Sequence, residues 1–241
     1  MISKENASYS KQTRGLMPQT LVNRLRQATI TWLVIISILW TGWGWDDPKG
    51  FIAVPVRTAL LCVWLGLCWY GAQANTRTSN AAGKNEIRKH RRVFWFVLPA
   101  LIGWFVYLPY ADRHQIATTD SAAIRWLGLA LFGITYWLRI ESIRAQGPQF
   151  SCAVAIQEQH RLTTSGPYRW MRHPAYTGVI GIIAGLSLVF GNPAAAVLMT
   201  GVVWVWMETR IRDEERLLLA EFGLEFSHYA RQTRKLIPFV Y

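Results

Sequence analysis

Two short polar stretches carry the residues that could do chemistry. Residues 166–178 read GPYRWMRHPAYTG and gather Tyr168, Arg169, Arg172, His173 and Tyr176 just ahead of a long apolar run. From Met207 the chain reads METRIRDEERLLLAEFG, with the carboxylate pair Glu214-Glu215 inside a helical pattern. An arginine can hold a carboxylate bidentately, and a histidine can take or give a proton near neutral pH. Tyrosine faces and carboxylates both attract cations. Ile211, Leu218 and Phe222 fall on one helical stripe, and Glu215 falls on that same stripe, with Glu214 one position away. A carboxylate pointing with apolar residues costs free energy unless it meets a partner, here a nearby arginine or a cationic ligand.

Each residue also has a plainer reading. Arg172-His173 could be cationic anchors at a membrane interface, and Tyr168 and Tyr176 interfacial aromatics. Glu214-Glu215 could be a solvated turn paired with Arg210, Arg212 or Arg216. His160 could be a simple loop histidine. Their placement shifts the balance, because the two stretches bracket one apolar hairpin. A fold that closes the hairpin brings a basic and aromatic cluster against a carboxylate.

The elements that must do this are membrane helices. The chain has 241 residues, 51% hydrophobic and only 17% charged, and the apolar residues come in blocks rather than spread through the chain. The blocks predict spans near 28–45, 58–74, 93–111 and 122–140, close to the roughly 20 residues that cross a bilayer core. A further uncharged run, 174–207, is broken by Gly191-Asn192-Pro193 and reads as a tight helical hairpin. The expected fold is therefore an all-α integral membrane protein. Four transmembrane helices occupy residues 1–140, and a hairpin and cytosolic tail helix occupy 141–241. The first block starts late and is followed by bulky Trp, so it reads as a span and not as a cleaved leader.

The formal net charge of +12 does not point to nucleic acid. Lys and Arg concentrate before the first block, between the second and third, and after the fourth and the hairpin. The other two connections hold little beyond Lys49 with Asp46 and Asp47, then Arg113 with Asp112. That alternation is the positive-inside pattern and places both termini and segment 139–173 in the cytoplasm. The basic tracts then serve topology and contacts with anionic lipid. The three cysteines, Cys62, Cys68 and Cys152, form no CxxC pair and imply neither a metal site nor a disulfide framework. Gly42-Trp43-Gly44 lacks the third glycine and the preceding strand of a dinucleotide-binding turn.

The order of short motifs resembles the isoprenylcysteine carboxyl methyltransferase family, itself similar to the phospholipid N-methyltransferases. The motifs are His160-Arg161-Leu162, Gly166-Pro167-Tyr168, Arg172-His173-Pro174-Ala175-Tyr176-Thr177-Gly178, the hairpin, Glu214-Glu215 with Leu218, Phe222-Gly223, Tyr229 and Ile237-Pro238. The likeness covers about residues 145–238. It implies that 141–241 is a catalytic methyltransferase region, with S-adenosylmethionine as methyl donor in a cytosolic cofactor pocket between the segment before the hairpin and the helix after it, and no metal. It places His160 and Leu162 on the adenosine side, and Tyr168, His173 and Tyr176 around the cofactor. Glu215 or Glu214 would meet the cofactor's positive end or hydroxyls, Glu214 and Arg172 would serve catalysis, and Arg172 would face the acceptor. The acceptor, lipidic or small, stays open among carboxylate, thiol and amine. Two rivals stand beside this reading. One is a nicotinamide-dependent membrane reductase, with Arg169, Arg172 and Arg210 for a 2′-phosphate. The other is a non-catalytic scaffold or transporter.

Overall fold

The computed structural model describes residues 21–73, 88–151 and 161–237, so His160, Cys152 and Pro238 lie outside the described residues. The described chain is helical throughout, with helices α1 (Leu21–Trp43), α2 (Pro48–Ile52), α3 (Pro55–Gln73), α4 (Arg88–Arg113), α5 (Ala122–Gln146), α6 (Pro174–Val189), α7 (Pro193–Phe222) and α8 (Leu224–Gln232). Two short 3-10 turns, Gly147–Gln149 and Gly166–Arg169, flank the link between α5 and α6. The hairpin of α6 and α7 turns at Gly191-Asn192-Pro193. Gly191 adopts a left-handed φ of 65°, and the Asn192 side chain accepts from Ala195 N at 2.8 Å to cap α7. The second arm does not stop at residue 207. It runs on as one 30-residue helix until Gly223, at φ 52°, ends it and lets α8 fold away.

Successive long helices alternate in direction, so their ends collect in two places. At one end, Thr119 N donates to Gly191 O at 2.7 Å, Asn192 Nδ2 to Ile116 O at 3.2 Å, and Arg113 forks onto Asp46. At the other, Arg24 Nη1 reaches Ala72 O at 3.3 Å and Tyr70 donates to Glu141 at 2.6 Å. Among the described residues, α1 and α7 have the length and hydropathy of membrane spans, and α6 is shorter, with 16 residues. Apolar side chains also face outward on several helices. Val34, Leu127, Ile134, Val197 and Val205 are each more than half exposed. Such a surface is a liability in water and costs nothing in hydrocarbon.

Helices α5 and α6 pack closely, and glycines allow it. A Cβ on Gly185 would stand 2.5 Å from Phe132 N, one on Gly128 2.6 Å from Val189 N, and one on Gly178 2.7 Å from Arg139 Cβ. Backbones this near gain dispersion and fix the register of the two helices, which is how membrane helices associate where lipid removes the hydrophobic drive. That register carries Arg139 to the first turn of α6.

One set of charges departs from the sequence reading. Asp112 is not a loop charge left over beside Arg113. It is fully buried at the end of α4, where Arg57 Nη2 meets Oδ2 at 2.7 Å and Arg125 Nη2 meets Oδ1 at 2.7 Å. Arg57 also donates to Gly50 O at 3.1 Å and lies over the Trp43 ring at 4.4 Å, while Arg125 donates to Val189 O at 3.2 Å. The triad thus ties α2 through α6 together at the end remote from the two polar stretches. Sequence distance hid it: Arg57 and Asp112 are 55 residues apart.

Candidate active site

The polar stretch before α6 is held from outside by the chain's C-terminal segment. Residues 170–173 run extended beside 233–236: Arg172 N donates to Arg234 O at 2.7 Å, His173 N to Lys235 O at 3.0 Å, and Arg234 N to Trp170 O at 3.3 Å. Thr177 Oγ1 adds a bond to Leu236 O at 2.7 Å, and the Tyr229 hydroxyl donates to Tyr168 O at 2.8 Å. This strap explains why α6 starts where it does. Pro174 opens the helix with φ already suited to it, and the preceding amides, which no helix could satisfy, are bonded by the strap.

The two adjacent carboxylates part company. Glu215 Oε1 accepts from Arg172 Nε at 2.8 Å and from His173 Nε2 at 3.1 Å. A carboxylate can only accept, so Nε2 of His173 carries the hydrogen. Glu214 Oε2 instead accepts from the Tyr176 hydroxyl at 2.7 Å and lies 4.0 Å from His173 Nδ1. The rings of His173 and Tyr176 stack, 5.7 Å between centroids and 14° between planes.

These groups open onto a cavity of about 310 Å³. Tyr168, His173, Tyr176, Arg172 and Glu214 form its polar and aromatic wall. Leu101, Val179, Trp206 and Met207 form an apolar side, and Leu162 and Phe150 border it from the link after α5. Size and mixed lining are those of a small-molecule site. Of the residues singled out in the sequence, Glu215 is not part of this lining. Its oxygen is committed to Arg172 and His173. Arg172 lines the cavity but directs Nε to Glu215 and Nη1 to the carbonyls of Ala230 and Thr233. Arg169 is exposed and away from the cavity. Two arginines that the motifs did not single out for the methyl-transfer site do line it. Arg139 donates to Ala175 O at 3.0 Å, and Arg210 lies 5.8 Å from the ring centroids of both Tyr176 and Trp206. Arg210 precedes Glu214 by four residues, a spacing that puts both on one helix face and was the available signal. Arg139 gave no comparable signal, since its place depends on the glycine-mediated register of α5 against α6.

Glu215 sits in the polar end of α7. Burial alone would raise its pKa, but hydrogen bonds from His173 and Arg172, with their charges, reverse that and hold it at about 2 against an ordinary 4.5. A carboxyl whose folded pKa is depressed stabilises the fold above its unfolded value and loses that contribution as pH falls through the folded value. The strap should therefore stay docked above about pH 4.5 and loosen progressively toward pH 2. Glu208, which Lys235 and Arg212 hold below the usual carboxylate range despite partial burial, acts in the same direction. Protection of amides 230–236 against hydrogen exchange, taken relative to the free-peptide rate at each pH, should fall through that window in the wild type. In Glu215→Gln it should already be lower at neutral pH, with a smaller further fall. Constant protection across the window would mean that the strap is held by its backbone bonds alone.

Residues 126–220 match the model of the isoprenylcysteine carboxyl methyltransferase (ICMT) family. A probable protein-S-isoprenylcysteine O-methyltransferase of Oryza sativa subsp. indica is 33% identical over 119 residues, 48% of this chain and 62% of that protein. The protein-S-isoprenylcysteine O-methyltransferase of Saccharomyces cerevisiae is 32% identical over 160 residues, 66% of this chain and 65% of that protein. The chain thus spans somewhat less than two thirds of the length of either relative. In fold, it is similar to the solved structure of the eukaryotic intramembrane Ras methyltransferase ICMT, with a TM-score of 0.56 at 20% identity over 86% of this chain and 74% of that one.

Proposed function

We propose, from the match of residues 126–220 to the isoprenylcysteine carboxyl methyltransferase family model, that the chain belongs to that family and is a membrane-embedded methyltransferase that takes its methyl group from S-adenosylmethionine. The observation that carries this is the cavity itself. Stacked His173 and Tyr176 with Tyr168 make an aromatic wall, and the Glu214 carboxylate stands on it. A sulfonium is attracted by both kinds of group. The cofactor supplies an electrophilic methyl group. The chain supplies position. Tyr176 orients Glu214 by its 2.7 Å hydrogen bond, and Glu215 fixes Arg172 and His173 in the wall. Methyl transfer in line needs alignment and exclusion of water more than covalent help, and no metal. His160, if it joins Leu162, adds to the adenosine side.

The acceptor we infer is a lipophilic carboxylate. Arg139, Arg172 and Arg210 outnumber Glu214 among the described charged lining residues, which suits an anion and disfavours an amine. Arg210 lies beside Trp206 on the apolar side, where the acceptor's tail would rest. The relatives' names, O-methyltransferases acting on isoprenylcysteine, agree with an acid as acceptor. We further infer that four long helices besides the hairpin, α1, α3, α4 and α5, cross the bilayer, with the cavity end in the cytoplasm as the basic tracts require.

Calorimetric titration of the detergent-purified protein with S-adenosylhomocysteine tests the reading. Micromolar binding is the expected result. A well-behaved protein that binds none of it would remove the methyl-donor assignment and return the nicotinamide cofactors to first place.

A further inference from the structure

Five exposed arginines lie on or beside α7, α8 and the strap, and they fall into two kinds. Arg212 and Arg216, on α7, are paired with Glu208 at 3.1 Å and with Asp213 at 3.3 Å. Arg169, Arg231 and Arg234 are exposed and form no ion pair among the described residues. These three belong to one small surface. Arg169 precedes Trp170, whose carbonyl accepts from Arg234 N at 3.3 Å, and Arg231 stands three residues before Arg234 at the end of α8. Two apolar residues share the surface, Trp170 at 56% exposure and Ile237 at 40%.

The level of this surface in the molecule identifies what it meets. The strap is bonded to Thr177, in the first turn of α6, and from there α6 runs to Val189 without a charged residue. The patch therefore lies beside the point where the chain passes from polar to apolar surroundings. Exposed Trp at such a level sits among headgroups, and arginines beside it attract anionic ones. Three unpaired like charges on adjoining segments also repel, and an anion between them removes that cost.

We propose that Arg169, Arg231 and Arg234, with Trp170 beside them, bind the headgroup of an anionic phospholipid in the leaflet at the cavity end. The site is separate from the cavity. It lies on the outer side of the strap whose inner side bonds Arg172 and His173, so a bound lipid braces the segment that holds those residues.

The full chain, reconstituted in phosphatidylcholine with a small fraction of either brominated phosphatidylglycerol or brominated phosphatidylcholine, tests this. Trp170 quenching is read as the difference between the wild type and Trp170→Phe. The brominated anionic lipid should quench Trp170 more than the zwitterionic one. Each arginine changed to glutamine should weaken the association by about fivefold, and Arg169→Gln/Arg231→Gln/Arg234→Gln should quench equally with both lipids. Equal quenching in the wild type, or an anionic preference that survives in the triple variant, overturns the proposal. Loss of the preference on adding inorganic phosphate would assign the patch to a free anion. Loss of it on adding a soluble polyglutamate peptide would assign it to an acidic protein. Either outcome overturns the lipid assignment. Titration of the triple variant with S-adenosylhomocysteine keeps the two readings apart. Unchanged affinity shows an intact cavity, whereas absence of binding in both proteins sinks the methyl-donor reading and leaves the lipid result to stand on its own.

Discussion

Glutamine in place of Glu214 is expected to weaken binding of S-adenosylmethionine by roughly ten- to a hundred-fold, the worth of about 1.5–3 kcal/mol for a hydrogen bond or contact to a charged group. The same change should cost S-adenosylhomocysteine much less. The two ligands differ at sulfur, a cation in one and a neutral thioether in the other, so a carboxylate that faces the sulfonium discriminates between them and an amide does not. Glutamine keeps the size of the side chain and an oxygen for the Tyr176 hydroxyl, which Glu214 receives at 2.7 Å. Parallel titrations of the wild type and the variant with each ligand give the answer. If both affinities fall by the same factor, Glu214 meets the cofactor's hydroxyls and not its charge. If neither falls, the carboxylate has no part in binding. The Tyr176→Phe variant, which removes only the orienting hydroxyl, should show the same preference with a smaller loss.

The second large effect lies at the opposite end of the molecule and concerns stability. Asp112→Asn should lower unfolding free energy by about 3–5 kcal/mol, because it leaves Arg57 and Arg125 buried, close to one another and without the carboxylate that offsets both. Arg57 is 4% exposed and Arg125 5%, so solvent cannot relieve them. The protein in detergent should unfold at clearly lower temperature, and S-adenosylhomocysteine should raise the melting temperature of both forms if the fold survives. Asp46→Asn is the matched control. Asp46 also pairs with an arginine, Arg113 at 2.6 Å, but its side chain is 71% exposed, and surface pairs contribute little. A similar drop from both changes would show that the burial of the triad is not what matters. No drop from Asp112→Asn would show that the backbone carbonyls of Gly50 and Val189 suffice for the two guanidinium groups.

The two effects differ in how far the sequence announced them. Glu214 and Glu215 stood out early because a carboxylate on an apolar helical stripe needs a partner. Which of them would find an arginine and which would face a cavity was not readable. Adjacent helical residues point about 100° apart, and only the position of the strap and of α6 decides between the two directions. The outcome is that Glu215 serves Arg172 and His173 while Glu214 stands on the cavity wall. Arg172 was prominent in its motif, yet its donors go largely to Glu215 and the strap carbonyls. Asp112 gave no signal. Beside Arg113 it looked like one more loop charge, and its partners lie 55 and 13 residues away.

Residue pattern alone was enough for the coarse architecture. Apolar blocks without charge, with turn residues between them, admit helices in a membrane and little else, since backbone groups there must be bonded within the segment. The ordered short motifs were enough to point to the family whose model residues 126–220 match. Both are local properties, set by composition, spacing and the chemistry of single residues. Tertiary structure decided everything that depends on which surfaces meet. It set the close approach of α5 and α6 that delivers Arg139 to the cavity, and the strap that holds Met171 to His173 from outside. It also set the division of labour between neighbouring glutamates and the burial of a charge triad across five helices. These rest on contacts between residues far apart in the chain, and their energies depend on distance and burial, which a linear pattern does not contain.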